Sequence, residues 1–374
     1  MPAANASFRE VIARRHFPAL DGLRAVAVMV VIIGHRGFPI PGLPSDLGVS
    51  AFFVLSGFLI TRLLIRERER SGTISLRAFY ARRTIRIFPA YYSFLLFSFL
   101  LDSVMGSRWS AALGLSAVTY TVNYFSAFHH HPSNSISHAW SLAVEEQFYL
   151  LWPLAFVLLA HRGRRALITG VAVAAALAVA WRVWLTVHGA DVAYLYNAFD
   201  TRFDNLAVGC LLALAADRQA VIRSAEAISR RAWYPLVTLA LLIASRSFTP
   251  AWYHYTAGLT VNAVLMMALI AQLLLLYASP LWSWLEHPVT RYLGAISYPM
   301  YLYHQWGDAV GRHAAAGEVA IFVVGLSATI ALASGSYYVV ERPFLKLKAR
   351  FEGSFIPRVE PSAPALPTSA VSRT

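Results

Sequence analysis

The stretch that decides the fold is His138-Ala139-Trp140-Ser141-Leu142-Ala143-Val144-Glu145-Glu146-Gln147-Phe148-Tyr149-Leu150-Leu151-Trp152-Pro153-Leu154-Ala155-Phe156-Val157-Leu158-Leu159-Ala160. Its second half is continuously apolar, and the whole is long enough for a membrane helix, which needs roughly 20 residues. Its first half sets two adjacent carboxylates, a glutamine and a hydroxyl into that same span. Ser141, Glu145 and Tyr149 are spaced by four, so a helix aligns them in one polar stripe. Ionisable residues inside a span are costly and mark a working surface turned into a helix bundle.

The remaining sequence repeats this pattern. Of 374 residues, 57% are hydrophobic and only 14% charged, against roughly 25% charged in a soluble domain. With 22 Phe, 18 Tyr and 10 Trp, disorder is excluded as well. Apolar runs lie near 20–38, 46–66, 88–106, 109–127, 139–160, 166–187, 200–216, 233–247, 255–278, 291–309 and 318–340. The net charge of +13 is almost all arginine, Lys346 and Lys348 being the only lysines. Because these arginines cluster between the runs, the basicity reads as loop topology and not as nucleic-acid binding. The single cysteine, Cys210, permits no internal disulfide. The first run follows Arg14 without an evident cleavage site, so a retained signal-anchor helix is expected.

Loop charge arbitrates between ten spans and eleven. Arg9, Arg14 and Arg15 put the N-terminus in the cytoplasm, and the basic stretch 62–86 then falls inside after the second span. Counting 109–127 as a span would push Arg162, Arg164 and Arg165 outside, and Arg218, Arg223, Arg230 and Arg231 with them. Treating 109–138 as an external segment returns both groups to the cytoplasm. The expected fold is therefore an all-α polytopic membrane protein, a bundle of about ten transmembrane helices with cytoplasmic termini. Its expected divisions are a short cytoplasmic segment (1–16), one membrane domain (17–350) and a disordered cytoplasmic tail (351–374), with no appended soluble domain.

Polar residues within the runs are the functional candidates. Arg24 and His35, eleven residues apart, fall within about 20° of one helix face and roughly 16 Å apart along its axis. A local Asp21–Arg24 pair is the plainer reading of the same residues. Glu145 and Glu146 could instead pair with Arg182 or Arg202. Asp200, Arg202, Asp204 and Asn205 read first as a structural ion-pair network. Arg82, Arg83 and Arg86 suit topogenic charge or anionic headgroups, or the phosphates of a cytosolic donor. His129, His130 and His131 look like a metal tract, but no second ligand set has usable spacing, so no metal is expected.

Taken in order, these segments resemble the integral-membrane acyltransferase family 3. The resemblance runs from Phe17-Pro-Ala-Leu-Asp21-Gly22-Leu-Arg24 to His35, then through Gly48 to Ile60. It continues with Phe79-Tyr-Ala-Arg-Arg83-Thr-Ile-Arg86, the His138 to Tyr149 segment, Thr201-Arg202-Phe-Asp204, Ile296 to His304, and Glu341-Arg342-Pro343. It implies an O-acyltransferase, in the first place an O-acetyltransferase, of a bacterial inner (plasma) membrane. The donor would be acyl-CoA (acetyl-CoA), with no permanently bound cofactor. The acceptor would be a carbohydrate hydroxyl, on a surface polysaccharide or on a glycosylated small molecule such as a macrolide. By the same resemblance Arg24 and His35 are the essential pair of the first helix, and Arg83 with Arg86 an essential pair on the cytoplasmic side; their expected task is to hold the donor's phosphates. Trp140, Ser141 and Asp204 are taken as substrate-binding. His35 is the expected general base, oriented by Glu145, with Arg24 stabilising negative charge. Tyr303-His304-Gln305-Trp306 departs from the commoner Trp-His-x-Pro ending, so His304 receives no role. A proton-coupled transporter is the rival reading of the same buried charges, but it lacks the internal symmetry expected of one.

Overall fold

Local chemistry sets where the long helices start and stop. Gly72 takes a left-handed conformation (φ 74°) that ends one of them, and Ser75 accepts a hydrogen bond from the Ala78 N–H to begin the next. The computed structural model describes residues 7–14, 16–35 and 44–346. Within them all regular structure is helical, and ten helices reach 14 residues or more. They are α1 Pro18–His35, α2 Asp46–Ser71, α3 Leu76–Val104, α4 Trp140–Ala160, α5 Arg164–Val187, α6 Phe199–Ala215, α7 Tyr234–Ser247, α8 Leu259–Leu276, α9 Ser297–Ala314 and α10 Glu318–Ser336.

Seven of the ten, α1 to α5 with α8 and α10, are long and apolar enough to cross a membrane. An eighth qualifies if α6 and the helix Gln219–Ala227, which meet at 111°, form one broken span. The chain is therefore an integral membrane protein. The two others are α7, only 14 residues long, and α9, which carries Asp308 and Arg312. Ten crossings with both termini inside is the topology we propose on the loop charges. The run 109–127 does not form one helix. It breaks into Ala111–Val118 and Val122–Phe128, with Tyr120 at φ 53° between them. The expected tail, 351–374, lies outside the described residues.

Exposed Leu96 and Leu100 on α3, Leu177 and Trp184 on α5, and Val323 on α10 are what a lipid-facing surface requires. Helices α2 and α6 meet through glycine. A Cβ on Gly57 would strike the Leu206 carbonyl oxygen, and one on Gly209 the Val54 carbonyl oxygen. Small residues let membrane helices approach this closely, where van der Waals packing replaces the hydrophobic drive. Pro89 and Pro153 lie inside α3 and α4, as membrane helices tolerate. Two π-helical turns, His254–Gly258 and Tyr337–Glu341, rotate the helices that carry them. Such turns are often found where a helix must aim a side chain at a site.

Candidate active site

One cavity of about 630 Å³ runs into the bundle from the end that carries His16, Arg62 and Arg66. Arg24 of α1, Ser56 of α2, Arg83 and Arg86 of α3, Ser141 and Glu145 of α4, and Tyr301 of α9 all line it. The π-helical turn after α10 adds Glu341. Glu145 Oε1 accepts a hydrogen bond from Ser56 Oγ at 2.7 Å, and Tyr149 OH donates to that same Oγ at 2.7 Å. The Arg83 guanidinium lies 3.7 Å from the centre of the Tyr149 ring, and its buried Nε has no partner among the described residues. Among the described residues Arg24 Nε reaches only Ser297 Oγ, at a long 3.4 Å. None of Arg24, Arg83 and Arg86 forms an ion pair with a described carboxylate. Each guanidinium offers five N–H donors, so the cavity holds a large unspent capacity for an anionic ligand.

His35 does not lie in this cavity. It ends α1 on the far side of Tyr301, and its Nδ1 is 3.1 Å from His304 Nε2. The two rings stack at 5.0 Å between centroids, and His138 packs edge-on against His304 at 4.7 Å. His304 Nδ1 lies 2.7 Å from the Tyr301 carbonyl oxygen, which can only accept, so Nδ1 carries the proton. In the neutral pair His304 Nε2 then accepts, and His35 Nδ1 must donate to it. That fixes the tautomer of His35 and leaves its Nε2 with a free lone pair. Tyr301 joins the two regions. Its hydroxyl donates to the His138 carbonyl oxygen at 2.8 Å and lies 2.6 Å from Ser141 Oγ, from which it accepts.

The expected residues therefore divide three ways. Arg24, Arg83, Arg86, Ser141 and Glu145 share the cavity, and His35 stands beyond its inner end. Trp140 and Asp204 reach neither. Asp204 is fully buried, its oxygens taken by Arg182 at 2.9 and 3.1 Å and by the Thr260 hydroxyl at 2.5 Å. No lone pair faces the cavity, and the substrate-binding expectation for Asp204 is corrected to a structural one. Trp140 packs edge-on to Phe53 at 6.2 Å and 5.7 Å from the Arg202 guanidinium. Glu145 hydrogen-bonds Ser56, while the groups that meet the His35 ring are His304 and the Val31 backbone. Asp21 pairs with His16 at 2.9 Å instead of with Arg24. His138, His304, Ser56 and Tyr301 are the functional neighbours that sequence reasoning leaves without a role. All lie in motifs quoted above, but nothing in their spacing joins α1 to α9.

The three consecutive histidines go to separate partners, His129 to the Phe125 carbonyl, His130 to Asp191 and His131 to Asn197. Burial lowers the His131 pKa, opposed by the hydrogen bond to Asn197, so this ring is neutral near pH 7.

A family model described as an acyltransferase domain matches residues 17–338. The peptidoglycan O-acetyltransferase OatA of Listeria monocytogenes is 32% identical over 314 residues, covering 78% of this chain and 49% of that protein. The O-acetyltransferase OatA of Staphylococcus aureus is 30% identical, over 89% of this chain and 58% of that protein. The chain thus spans about half to three-fifths of the length of the curated relatives it matches. No solved structure matches it.

Proposed function

The chain belongs to the acyltransferase domain family, and on that premise we propose that it is a membrane O-acetyltransferase. It takes acetyl from a cytoplasmic acyl-CoA and passes it to a carbohydrate hydroxyl on the opposite face. The observation that carries this reading is the cavity of arginines with unspent donors, joined through Tyr301 to a histidine pair with one free lone pair. Arginine suits diphosphate and phosphate groups because its planar fork pairs with two oxygens at once. Arg83 and Arg86 hold the nucleotide end of the donor at the cytoplasmic half. Arg24 lies roughly 16 Å along α1 from His35, too far to touch the reacting carbonyl, so it neutralises donor charge beside Arg86. The pantetheine arm extends past Ser141 and Tyr301, bringing the thioester to the histidines.

The acceptor O–H gives its proton to His35 Nε2 as its oxygen attacks the thioester carbonyl. The C–S bond then breaks, the ester forms, and the departing thiolate takes a proton back. The carbohydrate acceptor is supported by the activity that the Listeria relative's name carries. Donor binding is tested with Arg83→Ala. Loss of one charge-assisted contact, worth about 1.5–3 kcal/mol, should raise the KM for acetyl-CoA by about ten- to a hundredfold, with a smaller effect on kcat. A donor KM equal to that of the wild type removes Arg83 from donor binding.

A further inference from the structure

A second cavity, about 520 Å³, opens at the helix ends on the His35 side of the bundle. Gly34, the residue before His35, lines it, and His131, another lining residue, is an electrostatic neighbour of His35. Asp46, only 4% exposed, starts α2 and contributes to the lining. Its Oδ2 is held by Arg246 Nε at 2.8 Å, with His254 Nε2 at 3.3 Å. Its Oδ1 is buried and has no partner among the described residues. Leaving a carboxylate oxygen unsatisfied is costly, and a ligand hydroxyl would relieve that cost.

The cleft carries no excess of positive charge: Asp46 pairs with Arg246, and the second carboxylate, Asp191, lies 2.5 Å from the His130 ring. That balance favours an uncharged, hydroxyl-rich ligand over a phosphate or a carboxylate. Two half-buried tyrosines, Tyr196 and Tyr255, supply aromatic wall. Tyr196 is fixed from behind. Trp140 lies 4.8 Å away, centroid to centroid, and the fully buried Arg202 guanidinium sits 5.1 Å from the Tyr196 ring centre. No Arg202 nitrogen has a hydrogen-bond partner among the described residues, so its charge rests on the faces of Tyr196, Trp140 and Phe53. A rigid aromatic face beside a few convergent polar groups is a common way to hold a small ligand in one orientation.

We infer that this outer cleft is the acceptor subsite and takes a neutral pyranose unit. Asp46 Oδ1 accepts a hydrogen bond from one sugar hydroxyl, Tyr196 packs against the ring, and another hydroxyl is held toward His35 Nε2. The assignment rests on the acyl-transfer reading for its purpose, although sugar binding can be measured without any donor.

The test uses the full chain in detergent and fluorescently labelled neutral tetrasaccharides of N-acetylglucosamine, glucose and rhamnose, with a sialylated oligosaccharide as the charged control. The wild type should bind at least one neutral probe and prefer it to the charged one. In Asp46→Asn, Arg246 turns the amide oxygen to itself, so an NH2 donor replaces the acceptor in the cleft. Binding should weaken about tenfold, the loss of roughly one hydrogen bond to a charged group. Tyr255→Ala removes one aromatic wall of the cleft and decides the matter if Asp46→Asn does not fold; its binding should weaken about threefold or more. Wild-type failure to bind any neutral probe, preference for the charged probe, or unchanged binding in folded variants would overturn the assignment. Acetyl-CoA consumption by the wild type, measured in parallel, reports on the acyl-transfer reading by itself. Sugar binding without donor consumption would leave the cleft standing and that reading lost.

Discussion

His35→Ala should lower acetyl transfer by about 10²–10⁴-fold, the usual contribution of a positioned general base, while leaving the amount of folded protein in the membrane unchanged. The stability half of this follows from position. His35 is an exposed residue at the end of α1, and what it gives the buried His304 is one ring stack and one hydrogen bond. The activity half follows from the tautomer relay, in which the Tyr301 carbonyl fixes His304 and His304 fixes His35. His304→Phe should therefore cost less than His35→Ala, because an imidazole held by the Val31 backbone alone still presents Nε2 part of the time. The double variant should be no worse than His35→Ala alone, since residues acting as a unit are not additive. Transfer assayed at equal membrane levels checks this. Independent, additive losses would mean that the two histidines do separate jobs.

The largest effect on stability should come from Asp204→Ala. Arg182 spends its guanidinium completely, on the Thr256 and Thr201 carbonyls, the Thr260 hydroxyl and both Asp204 oxygens. Both residues are fully buried. Removing one partner strands a charge in the bundle and should cost about 3–5 kcal/mol. Combining Arg182→Leu with Asp204→Leu should be far milder, because no charge is then left unpaired. Thermal unfolding in detergent and the folded fraction on gel filtration measure both variants. A well-folded Asp204→Ala protein that has lost only activity would restore Asp204 to substrate binding.

The contrast between Arg182 and the cavity arginines explains what is legible in the sequence. The all-helical membrane character can be read, and 109–127 can be set apart from the long helices, because hydropathy and loop charge are local properties. Arg24 with His35 and Ser141 with Glu145 can be placed because each pair lies on one helix, where spacing fixes the face. Whether a buried charge is spent is decided between helices. Arg182 on α5 meets Asp204 on α6, not Glu145 or Glu146, and the sequence permits both pairings. His304 carries no readable role beside a departure from its motif, yet α9 packs so that its ring meets His35, 269 residues away. The orphaned Oδ1 of Asp46 is invisible for the same reason. Asp46 reads as an ordinary acidic residue near a helix start, and its partner Arg246 lies 200 residues away.

The central claim is that donor and acceptor reach one reaction centre from opposite faces of the membrane. Purified protein in sealed vesicles of known orientation tests it, with radiolabelled acetyl-CoA supplied on one side and a neutral oligosaccharide acceptor on the other. Label should reach the sugar only when acetyl-CoA is on the side of Arg83 and Arg86 and the sugar is on the side of His35, and His35→Ala should abolish it. Equal labelling with both substrates confined to the arginine side would contradict the account.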